Sequence, residues 1–237
     1  QGNNQDVTDN VDSVEGHKVT FTDTTTGMGS GFNQTLTWQF SENSADATYI
    51  KDSSGTTGYT ASGSNGYSVA IGTSALTAMT TGGSNVAVGF ASGTAITSGG
   101  NNIAVGSEAL DATTTGGTNA FVGHNSGGSN TTGQNNTALG AYSLDAMTTG
   151  SDNVAMGKSA LGALTTGNRN TVLGLNAGDA LTDADINVAI GHNALSTDTL
   201  GSRSVAVGYE ALLSQNFTTA TSTYNTAVGG QAGRAVT

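Results

Sequence analysis

The sequence predicts an all-β chain: a parallel β-solenoid of about ten 17-residue rungs, preceded by a small antiparallel β unit. Three observations carry this. An apolar tetrad ending in glycine returns at a fixed step. Polar columns of Asn and Thr return in phase with it. The chain holds 36 glycines and no proline, which suits many tight turns and uninterrupted strand pairing.

Composition alone points the other way. The 237 residues include only 16 Val, 6 Ile, 14 Leu and 6 Phe, and the net charge is −11. Such a chain falls in the range of disorder unless periodicity builds a core from few apolar residues. There is no cysteine, hence no disulfide framework and no thiolate metal site. No apolar run is long enough to span a membrane as a helix. Six Lys and Arg against 17 acids leave no basic surface for nucleic acid. The sequence opens on Gln1 with no signal peptide, which fits a processed secreted chain or a fragment.

Residues 1–58 form the first expected unit, and residues 59–237 the repeat. The segments "KVTFTD", "TLTWQFS" and "ATYIK" alternate apolar and polar residues with a period of two, as half-buried strands do. Leu36, Trp38 and Phe40 share one face, and Val19 and Phe21 share another. This unit is expected to cap the solenoid or join it to a neighbour. Gly55 falls one period before Gly72, so a degenerate first rung is expected around residues 53–68.

The repeat is anchored on Gly72, Gly89, Gly106, Gly123, Gly140, Gly157, Gly174, Gly191 and Gly208, each 17 residues after the last. A tenth anchor, Gly229, follows after 21. The residue before each anchor is large and apolar, from Ile71 to Val228. Two positions earlier stand Val69, Val86, Ile103, Ala120, Thr137, Val154, Thr171, Val188, Val205 and Thr226. Side chains alternate across a strand, so these two columns share a face, and size assigns them to the core. Between them lies alanine, except at Phe121 and Val172. Facing away from that core, Ala70, Ala87, Ala104, Ala155, Ala189 and Ala206 are the candidate trimer interface, small enough for parallel chains to pack closely.

The remaining columns belong to turns and the opposite wall. A second glycine sits ten residues after the anchor, with Ala184 the exception. Four residues after it, leucines such as Leu144 and Leu161 alternate irregularly with Gly93, Gly127, Gly178 and Gly233. Four residues before it stands an asparagine column that includes Asn85, Asn102, Asn119 and Asn153, suited to rung-to-rung hydrogen bonding. Eight after it, the column from Thr80 to Thr199 is all threonine. Both polar columns flank turns, whose backbone groups they are expected to satisfy.

No chemistry-bearing constellation stands out. His124 and His192 share a repeat position four rungs apart, nearly 20 Å at rung spacing, so they cannot share a metal within one chain. Asp179, Asp183 and Asp185 cluster without a calcium-binding nonapeptide. No nucleophile elbow or phosphate loop is present. The expectation is a non-enzymatic protein with no metal and no cofactor.

The tetrads "NVAVG", "NIAVG", "NVAMG", "NVAIG" and "SVAVG" resemble the head repeats of trimeric autotransporter adhesins. The longer units "ALDATTTGGTN", "SLDAMTTGSDN" and "ALGALTTGNRN" resemble repeats of phage tail fibres. The resemblance covers about residues 66–235 and implies a left-handed parallel β-roll, a homotrimer, and a place outside the cell, on its surface or on a virion. It implies a fibre segment working in attachment, with an unidentified receptor. Two alternatives come from the residues themselves: a self-assembling extracellular matrix filament, and an ice-binding solenoid whose threonine column orders water.

Overall fold

A computed structural model describes residues 17–22, 35–40, 47–50 and 68–236. Fifteen strands and no helix make up the described chain. They are β1 (His17–Thr22), β2 (Thr35–Phe40), β3 (Ala47–Ile50), β4 (Ser68–Ile71), β5 (Val86–Val88), β6 (Ile103–Val105), β7 (Ala120–Val122) and β8 (Thr137–Leu139), followed by β9 (Val154–Met156), β10 (Thr171–Leu173), β11 (Val188–Ile190), β12 (Gly201–Ser202), β13 (Val205–Val207), β14 (Thr221–Ser222) and β15 (Thr226–Val228).

Ten of them, β4 to β11 with β13 and β15, stack in parallel and in sequence order, which makes the chain a parallel β-solenoid. Register follows the repeat: Val154 pairs with Thr171, and Thr171 with Val188. The 21-residue step before Gly229 keeps that register, pairing Val205 with Thr226. Its extra residues form the separate β12–β14 ladder.

The N-terminal strands extend the same sheet. β1 and β2 pair antiparallel from His17↔Phe40 to Thr22↔Thr35, and β2 meets β3 at Trp38↔Ile50. β3 then pairs parallel with β4, Ile50 opposite Ile71. The strand beside β4 lies 21 residues upstream, and the degenerate first rung expected around residues 53–68, with Gly55, falls outside the described residues.

A correction concerns which way the strands face. Ala87, Ala155, Ala189 and Ala206 are wholly buried, and Ala70 and Ala104 nearly so. The large residues on either side are half-buried or exposed, including Ile103, Val122, Leu139 and Leu173. Alternation fixes which residues share a face, but not which face is inside. Volume decides it. The wall opposite the strands already supplies Leu76, Leu110, Leu144, Leu161 and Leu195, with Met79, Ile96, Met147, Leu164 and Leu181, all buried. A three-residue strand turns one side chain toward them, and only alanine fits.

The two large exceptions show the rule. Phe121 points inward, and a Cβ on Gly127 of the same rung would lie 2.3 Å from its ring. Val172 likewise meets Gly178, 3.6 Å from a would-be Cβ. In these two rungs the glycine compensates the larger inward residue, whereas Gly93 stands with Ala87 and its Cβ would instead meet Leu76 and Ile96 at 2.9 and 3.0 Å.

The turns need unusual backbone. The anchor glycines have φ from +123° to +144°, and a Cβ on Gly140 would sit 2.5 Å from the carbonyl oxygen of Gly157. In each regular rung three more positions are left-handed, for example Tyr142, Leu144 and Asp152 at φ 59°, 51° and 61°. Such strain persists because neighbouring rungs bond both sides of the turn: Gly140 N–H donates to Val122 O and Tyr142 N–H to His124 O.

Candidate functional site

The asparagine column is an internal spine. Asn85, Asn102, Asn119, Asn136, Asn153, Asn170 and Asn187 are buried. Asn136 Nδ2 donates to Gly150 O at 2.9 Å and to Asn119 Oδ1 at 3.2 Å. Its own Oδ1 accepts from the backbone N–H of Asn153 at 2.9 Å. Every amide therefore ties its own turn and the adjacent rung together, as buried polar groups must. Next to the 21-residue step, Gln215 joins the spine. Its Oε1 accepts from Asn225 Nδ2 at 2.8 Å, and its Nε2 donates to Asp198 Oδ2 and Ser204 Oγ.

The threonine column faces its neighbours. Thr131 Oγ1 donates to Thr148 O at 3.0 Å, and Thr165 Oγ1 to Thr182 O at 2.9 Å. These hydroxyl protons are committed to the backbone of the next rung. A further ladder, unseen in the sequence, runs Gln134–Ser151–Asn168–Asp185–Ser202, each backbone N–H donating to the next side chain. It occupies Asp185, while Asp183 accepts from Thr166 Oγ1 at 2.6 Å. The acids near Asp179 are thus partnered across rungs rather than aimed at one point. Among the described residues, no group of three His, Asp or Glu gathers as a metal site.

Asp111, Asp145 and Asp179 recur on alternate rungs. Burial raises each carboxyl above its ordinary range, helped at Asp111 by nearby Glu108. Asp111 Oδ1 is buried and has no hydrogen-bond partner.

What the solenoid leaves unused is the outward face of its strands. None of the ten parallel strands contains a charged residue, in a chain of net charge −11. Leu139 is 50% exposed and Leu173 46%. Half-buried Val86, Val88, Val105, Val154, Met156, Val188, Ile190, Val205 and Val207 lie in the same two columns. At about 4.8 Å per rung and about 10 Å of strand width, the face covers about 450 Å², within the range of the largest apolar patch on a monomer, which is often functional.

The column just after the anchors forms a mixed rim, with Ser107, His124, Lys158 and His192 among exposed Phe90, Leu175 and Tyr209. His124 packs edge-on to Tyr142 at 5.2 Å, and its Nδ1 lies 3.2 Å from Ser107 O. His192 stacks on Tyr209 at 5.6 Å and 7°. Interaction with the neighbouring Glu210 carboxylate raises the Tyr209 phenol, and the Glu210 carboxyl lies below its ordinary range. Gln231 Nε2 and Arg234 Nε also reach Glu210, each at 3.1 Å.

The fold and these ladders define a repeat protein of the parallel β-solenoid class. Compared with protein-family models, curated proteins and solved structures, the chain matches none. No helix among the described residues is long and apolar enough to cross a membrane.

Proposed function

We propose that this chain is a non-enzymatic fibre segment that mediates surface attachment outside the cell or on a virion, working as a homotrimer of parallel solenoids. The observation that carries it is the uncharged apolar face. Acidic copies repel one another, so a surface free of charge is where they can meet. The face repeats every rung, and a second copy in parallel offers the same spacing to pack against it. The interface placed here is the Val, Ile, Leu and Met columns, not the alanines, which the chain's own core consumes. Three linked rods present each weak surface contact three times, and avidity supplies the adhesion.

The test is adhesion of the wild type and of Leu139→Glu/Leu173→Glu to immobilised glycoconjugates and extracellular-matrix proteins. Retention of the wild type on at least one surface, weakened about a hundredfold in the variant, is expected. Equal retention of both, or retention of neither, would remove the reading.

A further inference from the structure

We infer that neighbouring copies are held at equal height through the two margins of the apolar face, with Asp152 of each copy paired to Lys158 of the next. Each strand is bordered by a residue five before its anchor glycine and by the residue just after that glycine. On the rung of Gly157 these are Asp152 and Lys158, both exposed. The strand β9 separates them by roughly 20 Å, so they cannot meet within one chain. Asp152 Oδ1 accepts from Asn135 Nδ2 at 3.1 Å. Among the described residues the Lys158 ammonium has no partner, and the one ion pair is Arg234 with Glu210.

Rotation about an axis parallel to the rods leaves every residue at its own height. It turns the leading margin of one copy toward the trailing margin of the next. Asp152 then meets Lys158, and Arg203 meets the 51% exposed ring of Tyr209 as a cation–π contact. No rung from Ser84 with Phe90 to Arg203 with Tyr209 sets like charges together. Antiparallel copies would turn each margin toward itself in reversed order. Asp152 would then face Arg169, but Lys158 would lie against exposed Leu175 and Arg203 against Thr118. The parallel arrangement leaves one cation, Arg169, without a match, and the antiparallel one leaves two, each desolvated at a cost. The inference rests on the assembly reading above and names the residues that set its register.

The experiment is sedimentation equilibrium of the full chain at about 50 mM salt, where exposed charges are weakly screened. Asp152→Lys and Lys158→Asp each set like charges together at every interface of the trimer. Each is expected to raise the concentration of half-assembly about tenfold. Arginine already occupies the left-handed position of residue 152 on other rungs, Arg169 at φ 58° and Arg203 at φ 67°, so the chain accepts a long cation there. Asp152→Lys/Lys158→Asp is expected to return to within about threefold of the wild type. All these differences are expected to shrink at about 1 M salt. Single variants that assemble like the wild type, a double swap no better than its parents, or recovery only in Asp152→Arg/Arg169→Asp, the antiparallel match, would overturn the inference. A wild type that assembles while ignoring these charges removes this inference alone, whereas a monomeric wild type removes the assembly reading with it.

Discussion

The inward column of the ten strands is alanine except at Phe121 and Val172, each of which has a glycine opposite, whereas the outward columns are mostly Val, Ile, Leu and Met. Inside, residue size is set by the space between two walls of one thin rung. Outside, no feature of the single chain limits size, and water would favour polar residues. That the larger apolar residues gather on the unconstrained side is the difference the proposed assembly accounts for.

The sharpest way to break this contrast is to place one charge on each side. Ala155→Glu puts an unpaired carboxylate into the core and should cost on the order of 4 kcal/mol or more, read as loss of the cooperative urea transition. Leu139→Glu should keep the strand signal in far-UV circular dichroism while lowering the assembled mass. If the two variants behave alike, the facing is wrong. Next in size, Phe121→Ala should cost about 4 kcal/mol through the cavity it leaves. Adding Gly127→Leu should recover more than half of that, because other rungs hold leucine at this left-handed position. A double-mutant cycle without coupling would refute the volume rule.

Asn136→Ala probes the polar part of the interior. It strands the carbonyl of Gly150 and the N–H of Asn153, a loss of about 3 kcal/mol by denaturant unfolding. Smallest is the response to pH. Asp111, Asp145 and Asp179 have folded values above their unfolded ones. Their ionisation therefore opposes folding, and stability should rise as pH falls through the raised values toward the ordinary carboxylate range. Replacing all three by Asn should flatten that rise in thermal melts.

Much of this was legible in the sequence. Fixed glycine spacing gives the rungs, and the tetrads give the strands and their register. The inside-out assignment was not, because a Val-Ala-Val alternation reads the same from either face. A signal existed nonetheless: Phe121 and Val172, the two large residues in the alanine column, both fall in rungs with glycine four residues after the anchor. That covariation of volume placed both columns in one core. The Gln134–Ser202 ladder was hidden because five different side chains perform one role.

The most direct test is sedimentation equilibrium of the wild type beside Leu139→Glu/Leu173→Glu at micromolar concentration. The outward columns predict a trimer for the wild type and a folded monomer for the variant. A wild-type chain that sediments as a monomer would contradict the account.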